Sequence, residues 1–160
     1  MFHSKDGFSL LELLVALAVI AVLALITIPP LNRWRGNLSL AGAHYDLSSD
    51  LELARNSAVK ENRPVVVLFS TTGYRIYLDT DSDWNEDQLL KEVNLAGGVR
   101  VDLSGTDLAN ERTRFSNRGL PEITGAIVLL GRGDGGRRIL LNRLGRQSSE
   151  QSRDGGVTWE

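Results

Sequence analysis

From residue 8 to residue 31 the chain is apolar almost without interruption, and Glu12 is the only carboxylate in the run. About 20 such residues are enough to cross a bilayer as an α-helix, so the stretch reads as a membrane span over about residues 8–31. A charge within a span costs at least ~2.5–3.5 kcal/mol at the bilayer centre, which makes Glu12 a functional candidate by default. A short polar leader, residues 1–7, precedes the run.

The sequence Gly7-Phe8-Ser9-Leu10-Leu11-Glu12 closely resembles the prepilin signature of type IV pilins and type II secretion pseudopilins. The resemblance implies cleavage by a prepilin peptidase between Gly7 and Phe8, followed by N-methylation of Phe8. It also implies that Glu12 pairs with the new amino terminus of a neighbouring subunit during filament assembly. An ordinary secretory signal places its small-residue cleavage site after the apolar region. Here the small residue precedes it, so the apolar helix is retained.

Composition narrows the remaining choices. The length allows one soluble domain beyond the span. The net charge of −2 gives no bulk electrostatic case for nucleic acid. There is no cysteine, so the soluble part relies on an apolar core without disulfides. His3 falls in the leader and His44 in a helical stretch, and no Cys/His cluster, phosphate loop or nucleophile elbow is present. The chain is read as non-enzymatic, with no catalytic residue, no cofactor and no metal. Lys5 and Asp6 before the span, against Arg33 and Arg35 after it, leave the positive-inside rule silent on orientation. The resemblance places the amino terminus in the cytoplasm, because the peptidase works on that face.

Pro29-Pro30 predicts a bend near Ile28 or the end of the span. Leu40, His44, Leu47, Leu51, Ala54 and Ala58 then recur at spacings of three and four, one face of a resumed helix. Asp46, Asp50, Arg55 and Lys60 fall off that stripe. The helix is expected to run to about Asn62, with Pro64 helping to stop it. Strands are expected at 65–69, 74–78, 89–95, 99–103, 126–130 and 137–142, the third and fourth joined at Gly97-Gly98. Residues 53–60 followed by 64–68, the Phe115-x-x-x-Gly119-x-Pro121 run and Arg143-Leu144-Gly145-Arg146 resemble the pseudopilin H and minor pilin T/U subgroup.

Three further stretches resemble binding or turn motifs. Asp79, Asp81 and Asp83 alternate as in a calcium loop, but Trp84 stands where glycine is required and Leu90 where a bidentate Glu is required. The segment reads as a solvated hairpin loop. Arg132, Arg137, Arg138, Arg143 and Arg146 gather positive charge near the carboxyl end, and arginines neutralising phosphates give sequence-independent DNA affinity. Some minor pilins of this subgroup bind DNA through Gly-Arg-x-Arg. Gly145 and Arg146 match that motif, but Ser148 replaces the second arginine. No aromatic platform accompanies the arginines, and a charged sheet edge is the simpler reading. Residues 152–159 match the Asp-box pattern Ser-x-Asp-x-Gly-x-Thr-Trp, read as a local turn with Trp159 tucked in.

The expected fold is α+β and pilin-like: a long N-terminal helix, half transmembrane and half amphipathic, packed on antiparallel β-sheets in a sandwich-like domain. The expected parts are a leader at 1–7, the helix at 8–62 and a β-rich periplasmic domain at 63–160, anchored in the bacterial inner membrane. The resemblance implies a minor pseudopilin of a type II secretion system, with other pseudopilins, the prepilin peptidase and the membrane as partners. A minor type IV pilin active in pilus assembly or DNA uptake is the alternative, with Arg143 and Arg146 as its DNA contacts. A tethered domain that never polymerises is a third reading, which the early Glu12 opposes.

Overall fold

The computed structural model of the chain describes residues 9–160, except for the side chains of 25–33. Gly7 and Phe8 lie outside the described residues. Helix α1 (Leu10–Glu61) is helical throughout, including Pro29 and Pro30. The helix is not interrupted at the two prolines, and the side chains around the bend expected near Ile28 are outside the described set. Among the described residues no helix is long and apolar enough to cross a membrane. Phe8 and the side chains of residues 25–31, which complete the expected span, are not among them.

The chain divides into two units, residues 1–35 and 36–160. In the first, α1 shows apolar side chains on every face from Leu10 to Leu23, all exposed. The second holds the rest of α1 and eight strands. These are β1 (Val65–Ser70), β2 (Gly73–Leu78), β3 (Gln88–Asn94), β4 (Arg100–Val101), β5 (Arg112–Phe115), β6 (Gly125–Leu130), β7 (Gly136–Leu141) and β8 (Gln147–Ser152). They form two four-stranded sheets, ordered β3-β2-β1-β5 and β4-β6-β7-β8. Every strand pair is antiparallel.

One core joins the helix to both sheets. Leu40, Leu47, Leu51, Ala54 and Ala58 of α1 cluster with Val67 and Ile76 of one sheet and Ile127 and Ile139 of the other. The six positions of the predicted stripe, His44 included, are all buried. Polar contacts flank that stripe on both sides. His44 Nε2 lies 2.9 Å from Ser149 Oγ, and Ser48 Oγ donates to Gln147 Oε1 at 2.7 Å, both on β8. Toward the other sheet, Asp50 accepts from the Tyr74 hydroxyl at 2.8 Å and from Lys91 Nζ at 2.6 Å. Asp50 is therefore buried, although it lies off the apolar stripe. Two donors from the sheet replace the water it loses.

The two strands expected on either side of Gly97-Gly98 are joined there, but they do not pair with each other. β3 pairs with β2, whereas β4 pairs with β6 in the opposite sheet. Gly97 and Gly98 carry the chain across at φ +69° and +77°. A Cβ there would meet the Ser39 and Arg132 side chains at 2.6 and 2.5 Å. The glycines thus carry the chain from one sheet to the other.

Candidate functional site

Glu12 lies in the first turn of α1. Ser9 caps that turn: its hydroxyl accepts from Leu11 N at 3.2 Å and its carbonyl from Leu13 N at 3.1 Å. A carboxylate so near a helix N-terminus is favoured by the helix dipole. Around it the helix is apolar and exposed on all sides, with Glu12 itself exposed. A helix apolar all round must find its burial in other molecules. Glu12 is then the only described carboxylate in the apolar stretch from Leu10 to Leu23.

In the second unit the three sequence stretches that carried the subgroup resemblance meet at one place. Gly119 and Gly145 have φ of +73° and +75°. A Cβ on Gly119 would lie 3.2 Å from Arg55 Cγ and 3.0 Å from Val59 Cγ2. One on Gly145 would lie 3.3 Å from Arg55 Cζ and 3.4 Å from the Gly119 carbonyl. Two loops cross the α1 side chains so closely that only glycine serves. Phe115 bridges to Pro121 beside this crossing. Sequence reading found these motifs but not their mutual contact.

The arginine-rich end does not form one patch. Arg138 is paired with Glu150 and stacked on Trp159 at 4.7 Å. Arg137 turns toward His44, where burial, and then this guanidinium, lower the imidazole pKa. Arg132 sits in the β6–β7 turn, whereas Arg143 and Arg146 sit in the β7–β8 turn at the other end of β7. Both of these are exposed, held in a tight turn where Asn142 Oδ1 accepts from Leu144 N and Arg146 N.

The Asp-box stretch folds as expected. Ser152 and Thr158 donate their hydroxyls to Asp154 at 2.6 Å each. These bonds hold the Asp154 carboxyl well below the usual carboxylate range. Trp159 is half-buried over Gly136, and Glu160 exchanges two backbone hydrogen bonds with Gln151.

The 79–87 loop is solvent-exposed except for Trp84 and Asp79. Asp79 is fully buried. Its Oδ2 accepts from Arg114 Nη1 at 3.0 Å and Trp84 N at 3.2 Å. Arg114 also donates to Glu122 and lies 3.8 Å over the Trp84 ring. The predicted fully solvated loop is therefore corrected at its first residue.

Comparison with known proteins places this architecture. Residues 3–28 match the prokaryotic N-terminal methylation motif. The fold resembles the type IV minor pilin FimU of Pseudomonas aeruginosa, at 20% identity, TM-score 0.56 and coverage of 70% of this chain and 88% of that one. It resembles equally the minor pseudopilin EpsH from the Type 2 Secretion System of Vibrio cholerae, at 14% identity, TM-score 0.55 and coverage of 69% and 95%. A long helix on two antiparallel sheets is thus the pilin-like α+β fold. Pilin-like protein PilA1 of Thermus thermophilus is 28% identical over 158 residues, covering 92% of this chain and 99% of that protein. Residues 45–145 match the family described as type II transport protein GspH, and the chain belongs to that family.

Proposed function

We propose that the protein is a minor pseudopilin of the H type, which joins a periplasmic pseudopilus of a type II secretion system. The observation that carries this reading is the family match across residues 45–145. In this proposal the peptidase cuts between Gly7 and Phe8, Phe8 is N-methylated, and the helix from residue 8 anchors the chain in the inner membrane. The β-rich domain then lies in the periplasm. Apolar helices bundle as the filament core, where the Glu12 carboxylate meets a neighbour's Phe8 amine. A buried ion pair is a better register device than a source of stability.

Mass spectrometry of the full chain, expressed with an active prepilin peptidase, tests the processing. The expected product begins at methylated Phe8, and a chain still starting at Met1 overturns the proposal. Glu12→Ala is expected to remain in the membrane and to fail to enter filaments. Normal incorporation of that variant removes the pairing role. Secretion components in a pull-down support the assignment.

The minor type IV pilin reading is favoured by the likeness to FimU and by exposed Arg143 and Arg146. Pilus components in the same pull-down would replace the first reading with this one. Salt-dependent DNA binding by the full chain, lost in the Arg143→Ala/Arg146→Ala variant, would add DNA uptake.

A further inference from the structure

We propose that the β2–β3 loop is a calcium-type cation site built from Asp79, Asp81 and Asp87. One carboxylate oxygen from each of the three lies within 4.8 Å of the others. Oxygens that share one calcium ion sit ~2.3–2.6 Å from it, so they are at most about 5 Å apart. The second observation is inside the fold. Asp79 Oδ1 is buried and accepts no hydrogen bond, while Oδ2 is already satisfied by Arg114 and Trp84 N. A buried carboxylate oxygen without a partner carries its full desolvation cost, and native structures fill such positions. A cation held between Asp79 and the two exposed aspartates supplies the missing partner.

The charge balance of the loop favours it. Residues 79–87 carry five carboxylates and no base. Three guanidiniums face the loop, and they answer only part of its charge: Arg114 is shared between Asp79 Oδ2 and Glu122, Arg75 lies 3.6 Å from Glu86, and Arg112 stacks on Trp84, while among the described residues no ion pair reaches Asp81, Asp83 or Asp87. The donor set is all oxygen, with no His or Cys, which selects a hard cation over zinc. Calcium suits it better than magnesium, because irregular loop ligands and open water positions satisfy six to eight coordination but not a strict octahedron. The calcium-loop pattern fails in sequence at Trp84 and Leu90. The fold bypasses those positions, because Thr80 donates its backbone N–H and hydroxyl to Asp87 and draws that residue back beside Asp79.

The test uses the full chain in detergent. Calcium is titrated by calorimetry, and terbium emission is excited through tryptophan, since Trp84 N is bonded to Asp79 itself. One ion is expected to bind with Kd of ~10⁻⁴–10⁻³ M, the range of extracellular calcium modules. Calcium should displace terbium, and magnesium should compete poorly. Asp81→Asn and Asp87→Asn, both at exposed positions, should each weaken binding about tenfold without altering the fold, a loss of about 1.4 kcal/mol. Trp84→Phe should lose the sensitised terbium emission and keep calcium binding. Absence of calcium binding up to about ten times the upper end of that range overturns the site. So does binding that survives in the Asp81→Asn/Asp87→Asn double variant, which would place the ion elsewhere.

Discussion

Leu14 and Leu47 stand on the same helix, yet Leu14 is 54% exposed and Leu47 is fully buried. Around Leu14 every helical face is apolar, and none of it is covered by the chain's own described residues. Around Leu47 one stripe is apolar, and two sheets cover it. Burial contributes about 25 cal/mol per Å² of apolar surface wherever it occurs. What differs is who supplies the cover. The β-rich unit collects that stabilisation within one molecule, and the first half of α1 leaves it to be collected from lipid or from other helices.

Substitutions separate the two regions by size of effect. Leu47→Ala should destabilise the 36–160 unit by about 2–5 kcal/mol, from lost transfer energy plus the cavity left behind. Leu14→Ala, on the uncovered half, should change the same unfolding transition by less than about 0.5 kcal/mol. Denaturant titration of the full chain in detergent, followed by tyrosine and tryptophan fluorescence, reads both. A large effect at Leu14 would mean that the two halves share one cooperative core.

Asp50→Ala comes next, at about 1–3 kcal/mol, because it strands the buried Tyr74 hydroxyl. Burial first, and then the Asp50 carboxylate, push the Tyr74 phenol well above its usual range. Lys91 is 43% exposed, so its ion pair with Asp50 adds little. Asp50→Asn should recover part of the loss by keeping an acceptor for Tyr74. Gly145→Ala should cost about 1–2 kcal/mol, since a Cβ must adopt the left-handed region beside Arg55.

The smallest effect is a pH dependence. His44 has a lowered folded pKa, so the folded state prefers the neutral ring. Its contribution is fully present above about pH 6.5, the unfolded value, and is lost as pH falls toward the lower folded value. Stability of the β-rich unit should therefore drop on going from pH 7 to pH 5, and His44→Gln should flatten that slope. An equal slope in both proteins would assign it to other groups.

Periodic burial is what made much of this fold legible. The α1 stripe announces itself by apolar positions three and four apart, and strands β1, β2, β6 and β7 by short apolar, β-branched or aromatic runs bounded by turn residues. β8 carries no such signal, for Gln147-Ser148-Ser149-Glu150-Gln151-Ser152 has no apolar residue. It is held by its ladder with β7, and on the flank of α1 Ser48 donates its hydroxyl to Gln147 Oε1 and His44 Nε2 lies beside Ser149 Oγ. The burial of Asp50 is hidden for a related reason, since a helical wheel shows residue types but not donors arriving from a distant strand. For the candidate sites, the Gly7 to Glu12 motif was readable because it is local. The convergence of Arg55, Gly119 and Gly145, and the unsatisfied oxygen of Asp79, depend on contacts across many residues and leave no local pattern.

The turn anchored on Asp154 has one more result. By laying Glu160 along Gln151, it occupies amide and carbonyl groups that a foreign strand would otherwise seize. At the edge of the other sheet β3 keeps an outer ladder among the described residues, guarded by Lys91, Glu92 and the bulge at Leu90. Sideways strand addition, should subunits crowd together, meets an edge partly covered at β8 and a bulged one at β3.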